Sequence, residues 1–312
     1  MRPELQPCGG SPAEGVRGVA RQAPAPTTHT PQPLAYAQPN TRPHAEGRSM
    51  NPTIDLMNAR CSTRVYSDEP ITPEERQAIL HTAMRAPTGG NMMLYSIIEI
   101  EDQALKDRLA ITCDDQPFIA KAPWALIFVA DFQKWMDLFE YSDVAERTQC
   151  EKRDPLLGDL MLACCDALIA AQNAVIAAES LGIGSCYVGD ILENAEEHCA
   201  LLDLPRFTLP IAMLCFGRPK SHRAPAARME QHVVMRDRYR RLSTDELRDV
   251  SEALAEQHSA GGAAPGGVAT GGVAPDRPDY VSATCKRKFA SDFMREMNRS
   301  VAWWMDRWMG RA

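Results

Sequence analysis

The chain has 312 residues, 45% hydrophobic and 24% charged, with a formal net charge of -7. That is ordinary globular usage with room for one sizeable core, and the acidic balance excludes a basic field that would draw nucleic acid. Ten cysteines without a CxxC pair exclude a small disulfide scaffold and point to reduced thiols in a cytoplasmic protein. The longest apolar-rich run, at 161–178, carries Asp166, Gln172 and Asn173, which lipid would tolerate poorly, so no membrane span is expected.

In chain order, residues 1–49 hold nine prolines and almost no large apolar residues, and they read as a disordered arm. Ordered patterning begins at Met50, so a mis-assigned upstream start is one reading of the arm, and a transit peptide another. "RCSTRVY" (60–66) then places Arg60 and Arg64 four apart around Ser62. By spacing alone the two arginines could share a solvated helix face; the sharper reading is an anion site, with guanidinium forks and a hydroxyl around a phosphate.

A helix follows, with Thr72 as N-cap, Pro73 at its first position and Glu75 closing a capping box. It ends where Pro87 disfavours helix at Ala86. Strands are expected at 96–100 and 124–131, the second apolar enough to be buried on both faces. A long helix is expected over 154–181. Leu156, Leu157, Leu160, Met161, Cys164, Leu168, Val175 and Ile176 form its apolar side, and Ala163, Ala167, Ala170, Ala171 and Ala174 offer close approach to another helix. Further strands read at 184–190 and 209–217. "GIGSCYVG" does not fit a dinucleotide-binding G-x-G-x-x-G.

Three histidines invite attention. His81 reads as a surface or packed residue, His198 as part of a polar helix, and His232 as part of a strand. None has cysteines at ligand spacing, and no metal site is expected. The pentads of "GGAAPGGVATGGVAP" (261–275) read as flexible, within an insertion at 258–279. Beyond them Phe289, Phe293, Met297, Val301, Trp304 or Met305, and Trp308 recur at helical spacing in a terminal helix over 284–308. That helix must cover its own domain or reach a partner.

Taken together, "RCSTRVYSDEPITPEERQAILHTAMRAPTGGN", "DQPFIAKAPWALIFVAD", "AAESLGIGSCYVGDI", "LLDLPRFTLPIAMLCFGRP" and "ARMEQHVVMRDRY" resemble, in order and spacing, the FMN-dependent nitroreductase family. The resemblance covers about residues 51–242, and 284–308 more loosely. It implies an α+β fold with a mainly antiparallel sheet flanked by helices, within one FMN-binding domain at 50–312. It also implies a homodimer with a long interface helix, FMN sites between subunits and terminal segments embracing the partner.

By the same resemblance Arg60, Ser62 and Arg64 bind the FMN phosphate and ribityl end. Arg228 completes the grip, with Lys220 and Arg223 as nearer rivals. Pro87, Thr88, Gly89 and Asn91 meet the pyrimidine and ribityl side, Gln116 hydrogen-bonds the flavin, and the main chain of Val188 and Gly189 lies near N5. No side chain need be catalytic, because the flavin carries the hydride. The family's usual glutamine after the loop asparagine is Met93 here, which can pack on the ring but cannot form an amide hydrogen bond. The implied activity is transfer of hydride from NAD(P)H, by a ping-pong cycle, to a small-molecule acceptor such as a nitroaromatic or quinone. A flavin reductase, a reductive dehalogenase of the same fold, and a non-catalytic flavin-holding or sensory protein are the alternatives.

Overall fold

The computed structural model describes residues 51–221, 224–225, 228–230, 232–260 and 279–312. The proline-rich arm and the Gly-Gly pentads lie outside the described residues, as does Arg223. Four strands, β1 (Tyr95–Ile100), β2 (Trp124–Asp131), β3 (Gly184–Val188) and β4 (Thr208–Gly217), form one sheet in the order β1-β2-β4-β3. Every neighbouring pair is antiparallel. The β2–β4 register passes from Phe128↔Ala212 to Val129↔Pro210, so Ile211 is an extra residue. Pro210, which has no N–H to donate, sits at this bulge, where a central strand can accommodate it.

The helices are α1 (Pro52–Ala59), α2 (Pro73–Met84), α3 (Gln103–Thr112), α4 (Pro117–Ala120), α5 (Gln133–Tyr141), α6 (Val144–Thr148), α7 (Leu157–Ser180), α8 (Ala195–Leu201), α9 (Thr244–Ala260), α10 (Tyr280–Thr284) and α11 (Asp292–Trp308). The α2 capping box forms as its sequence requires: the Thr72 N–H donates to Glu75 Oε2 at 2.9 Å and the Glu75 N–H to Thr72 Oγ1 at 3.2 Å. Residues 258–260, placed in the flexible insertion by composition, close α9 instead. The terminal segment is not one helix over 284–308. It breaks at a π-helical turn, Cys285–Phe289, and restarts behind the N-cap Ser291, leaving Phe289 81% exposed.

Alternate residues of β2 feed two cores. Ala125, Ile127 and Val129 join Leu109, Trp304 and Trp308, whereas Trp124, Leu126 and Phe128 join Ile79, Ala83 and the alanines of α7. That is the period-2 alternation of a strand covered on both faces. The expected apolar side of α7 holds in part: Leu160, Cys164 and Val175 are buried as their spacing suggests, and the rest of it is corrected. Ala163, Ala167, Ala170, Ala171, Ala174 and Ala178 are its buried side, while Leu156, Leu157, Met161 and Leu168 are exposed. Small side chains let the helix axis lie close to the sheet and α2, and several of the larger ones fall on the opposite side. By length and composition α7 could cross a membrane, yet its alanine side lies in the core.

The terminal helix, which the resemblance implied would embrace a partner, packs on its own domain. The Trp304 indole N–H donates to the Leu192 carbonyl at 3.1 Å and that of Trp308 to the Pro155 carbonyl at 3.1 Å. Two histidine expectations also fail. His232 sits in a turn with φ 59° rather than in a strand. His198 is wholly buried on α8, where its Nδ1–H donates to the Ile191 carbonyl at 2.9 Å and its Nε2 accepts from the Thr112 hydroxyl at 2.7 Å.

Candidate functional site

The arginine segment lies along the free edge of β3. Ser62 pairs in parallel with Ser185, and the Thr63 N–H donates to the Ser185 carbonyl at 2.9 Å. Farther on Tyr66 pairs with Pro219, and the Lys220 N–H donates to the Val65 carbonyl at 3.1 Å. Two glycines permit this approach. A Cβ on Gly184 would stand 2.2 Å from Thr63 Oγ1, and one on Gly217 would stand 2.3 Å from the Tyr66 ring. Backbone pairing therefore fixes where Arg60, Ser62 and Arg64 stand, before any ligand is considered.

All three lie near enough to Cys186 in β3 to act on its thiol. Burial pushes that thiol up, while the nearby Arg64, Ser62 and Arg60 pull it down. Arg60 also acts on Glu179, whose carboxyl is raised by burial, and on Tyr187, whose hydroxyl burial raises to about 12. Unlike Arg218, which pairs with Glu69 and Glu75, Arg60 and Arg64 make no ion pair among the described residues. Two guanidiniums and a hydroxyl without a committed carboxylate are a donor set that suits a phosphate dianion.

Three further expected residues, Gln116, Val188 and Gly189, lie at the start of α4 and the end of β3. The Arg64 guanidinium lies 5.6 Å from the Phe118 ring centroid, which ties the arginine segment to α4 and its N-cap Gln116. The Gln116 amide donates to the Cys113 carbonyl at 2.9 Å, so its own oxygen remains the acceptor. At the end of β3, Val188 is buried and Gly189 is exposed, with nothing within 4 Å of where a Cβ would be. Gly189 opens a 3-10 turn, Gly189–Leu192, whose first amides cannot be satisfied within the turn. An open face beside unspent N–H donors fits a flat, electron-accepting ring.

The Pro87–Asn91 loop is built separately. Gly90, Asn91 and Met93 have φ of 59°, 58° and 50°, left-handed positions interrupted by Met92 that cost the two non-glycine residues energy. Asp166, buried on α7, holds both ends of it. Its Oδ1 accepts the Gly89 N–H at 3.1 Å and its Oδ2 the Leu94 N–H at 3.2 Å. Thr88 Oγ1 accepts the Met93 N–H at 2.8 Å, and Trp135 donates to the Met92 carbonyl at 2.8 Å. Met93 packs its side chain against the core that contains α7.

Among the described residues no hydrogen bond or ion pair joins Pro87, Thr88, Gly89 or Asn91 to Arg60, Ser62 or Arg64. Arg228 is exposed in the segment after β4, and among the described residues no hydrogen bond or ion pair ties it to the arginines, whereas the Lys220 backbone is bonded to Val65. Asp166 is the structural residue that sequence reasoning missed. Its signal was a lone acidic side chain inside a long apolar helix, which must find donors where it is buried.

The nitroreductase family model matches residues 57–218, just over half of the chain. The chain belongs to the nitroreductase family. It is 32% identical over 215 residues to an oxygen-insensitive NADPH nitroreductase of Salmonella typhimurium, covering 69% of this chain and 85% of that one. It is 30% identical over 204 residues to an FMN reductase (NADPH) of Bacillus subtilis, covering 64% and 78%. Among solved structures, B. megaterium NfrA2 superposes with a TM-score of 0.64 at 27% identity, covering 80% of this chain and 98% of that one. This nitroreductase fold is α+β, with the antiparallel sheet and flanking helices described above.

Proposed function

We propose that this nitroreductase-family protein is an NAD(P)H-dependent flavin oxidoreductase that holds FMN and reduces a small acceptor such as a nitroaromatic or quinone. The observation that carries the reading is the convergence of Arg60, Ser62 and Arg64 on one sheet edge, beside the open face at Gly189. The names of its relatives, an NADPH nitroreductase and an FMN reductase, support the cofactor and the reductant. When bound, FMN supplies the hydride chemistry, which no side chain here offers.

The residues of the chain bind and orient. Arg60 and Ser62 hold the phosphate, with Arg228 or Lys220 closing the grip. Arg64 is steadied against Phe118 and reaches the ribityl end. The Gly189 amide would serve as a fixed donor beside the ring, favouring negative charge there without reorganisation. The Gln116 oxygen, left as an acceptor, would be available to a ring N–H. Pro87, Thr88, Gly89 and Asn91 come from a second copy of the chain, which would place each FMN at a dimer interface. Protons come from solvent, so no side chain is assigned as acid or base.

One open face serving donor and acceptor in turn implies ping-pong kinetics. Steady-state oxidation of NADH and NADPH by the holoprotein, against nitro, quinone and free-flavin acceptors, tests this. Acceptor-dependent turnover with parallel double-reciprocal lines is expected. Turnover with free flavin alone would make the protein a flavin reductase, and no turnover with any pair would leave a flavin-holding protein.

A further inference from the structure

Behind the turn that opens at Gly189 lies a second group of ionisable side chains, which the flavin reading does not use. Glu193 ends that turn. It is 4% exposed, and its Oε1 is buried with no hydrogen-bond partner. A carboxylate in that position has lost water and gained nothing in exchange.

The groups facing it come from every element packed there. Asp190 lies in the same turn, Asp114 in the loop after α3, and Glu296 on α11; Lys288, from the π-helical turn, opposes them. The buried Cys113 thiol and the imidazole of His198 adjoin the group, and burial holds His198 below its ordinary value and therefore neutral. Glu296 is the fixed anion of the cluster. Arg299 and Ser300 hold its carboxyl down to about 2. That same carboxylate fastens α11 to the turn, because its Oε1 accepts the Asn194 N–H at 3.2 Å, and Ser300 beside it accepts the Ala195 N–H at 3.2 Å. Arg299 brings little relief to Glu193, since its guanidinium is already bonded to Glu196 and Glu296.

We propose that Glu193 is a proton-binding latch: protonated, it lets α11 seat on the Leu192–Ala195 segment, and ionised, it is driven from Glu296, Asp190 and Asp114 and loosens that seat. Burial first, then Asp190, Asp114 and Glu296, push its carboxyl up to about 7, against an ordinary value of 4.5. The folded chain therefore binds a proton that the unfolded chain lacks between those values. The destabilising contribution is fully present above pH 7 and is relieved as pH falls towards 4.5. His198 acts in the opposite sense below its ordinary value of 6.5, so the informative window lies above that.

The latch goes beyond the flavin reading and does not depend on it. Hydrogen exchange of the holoprotein at pH 6.5 and pH 8, corrected for the intrinsic rate, reads it directly, while the flavin absorbance reports whether the cofactor stays bound. In the wild type, protection of 193–198 and of α11 is expected to fall several-fold at the higher pH. Glu193→Gln keeps the low-pH protection at both. Lys288→Met, which removes the opposing cation, moves the midpoint of the loss to higher pH. An unchanged wild type, or an equal loss in wild type and Glu193→Gln, would overturn the latch, whatever the flavin does.

Discussion

Arg60 and Arg64 owe their placement to main-chain pairing at Ser62 and Thr63, and this makes them separable from the fold. The double substitution Arg60→Ala/Arg64→Ala should leave the melting temperature nearly unchanged while weakening FMN by about 3–6 kcal/mol, on the order of two charge-assisted contacts. Titration of the apoprotein with FMN measures this, and unchanged affinity would remove the phosphate grip from the account. Asp166 is the converse case. Asp166→Asn keeps the shape but turns one acceptor into a donor facing a backbone N–H, either that of Gly89 or that of Leu94. About 1–3 kcal/mol of stability should be lost, seen as a lower melting temperature together with weaker flavin binding. A wild-type melting temperature would mean that the loop keeps its left-handed positions without the aspartate.

At the scale of elements, what the sequence showed depended on how local the cause was. The α2 capping box involves four consecutive residues, and β2 is a continuous apolar run, so both were legible to the residue. The inward side of α7 was read in part: Leu160, Cys164 and Val175 are buried as expected, but Leu156, Leu157, Met161 and Leu168 are not, because the space between helix and sheet, rather than size, decides burial. His198 was read from its acidic neighbours, Glu196 and Glu197, although Ala195 three positions earlier marks the same buried side. The break at Ser291 was hidden because apolar spacing continues through it. The α7 reading can be tested by a pair of changes. Ala170→Leu should cost about 1–3 kcal/mol or more, because nothing in that packed side can yield a leucine's volume. Leu168→Ser, on the exposed side, should change stability by no more than about 0.5 kcal/mol within the monomer while weakening association. Chemical denaturation and light scattering separate the two effects. A harmless Ala170→Leu would contradict the burial assigned to that side.

For the whole molecule, family membership was legible because several weak motifs fell in the right order, none decisive alone. The acceptor and the dimer came from the resemblance alone, since neither is written in one chain's local patterns: an acceptor meets the cofactor, and an interface needs a second copy. The exposed Leu156, Leu157, Met161, Leu162 and Leu168 form an apolar surface that the proposed second copy would cover. Because Trp304 and Trp308 fill their own domain's core, truncation at about residue 284 should lower stability, dimer content and FMN occupancy together. A truncated monomer with full FMN would show that site and dimer are independent. The central claim, a flavin site that takes electrons from a nicotinamide and gives them up again, is tested most directly by anaerobic spectroscopy. Purified holoprotein should carry FMN, lose its flavin absorbance on adding NADPH or NADH, and regain it on adding a quinone or nitroaromatic. Protein that binds no FMN, or whose bound flavin neither nicotinamide bleaches, would contradict the account.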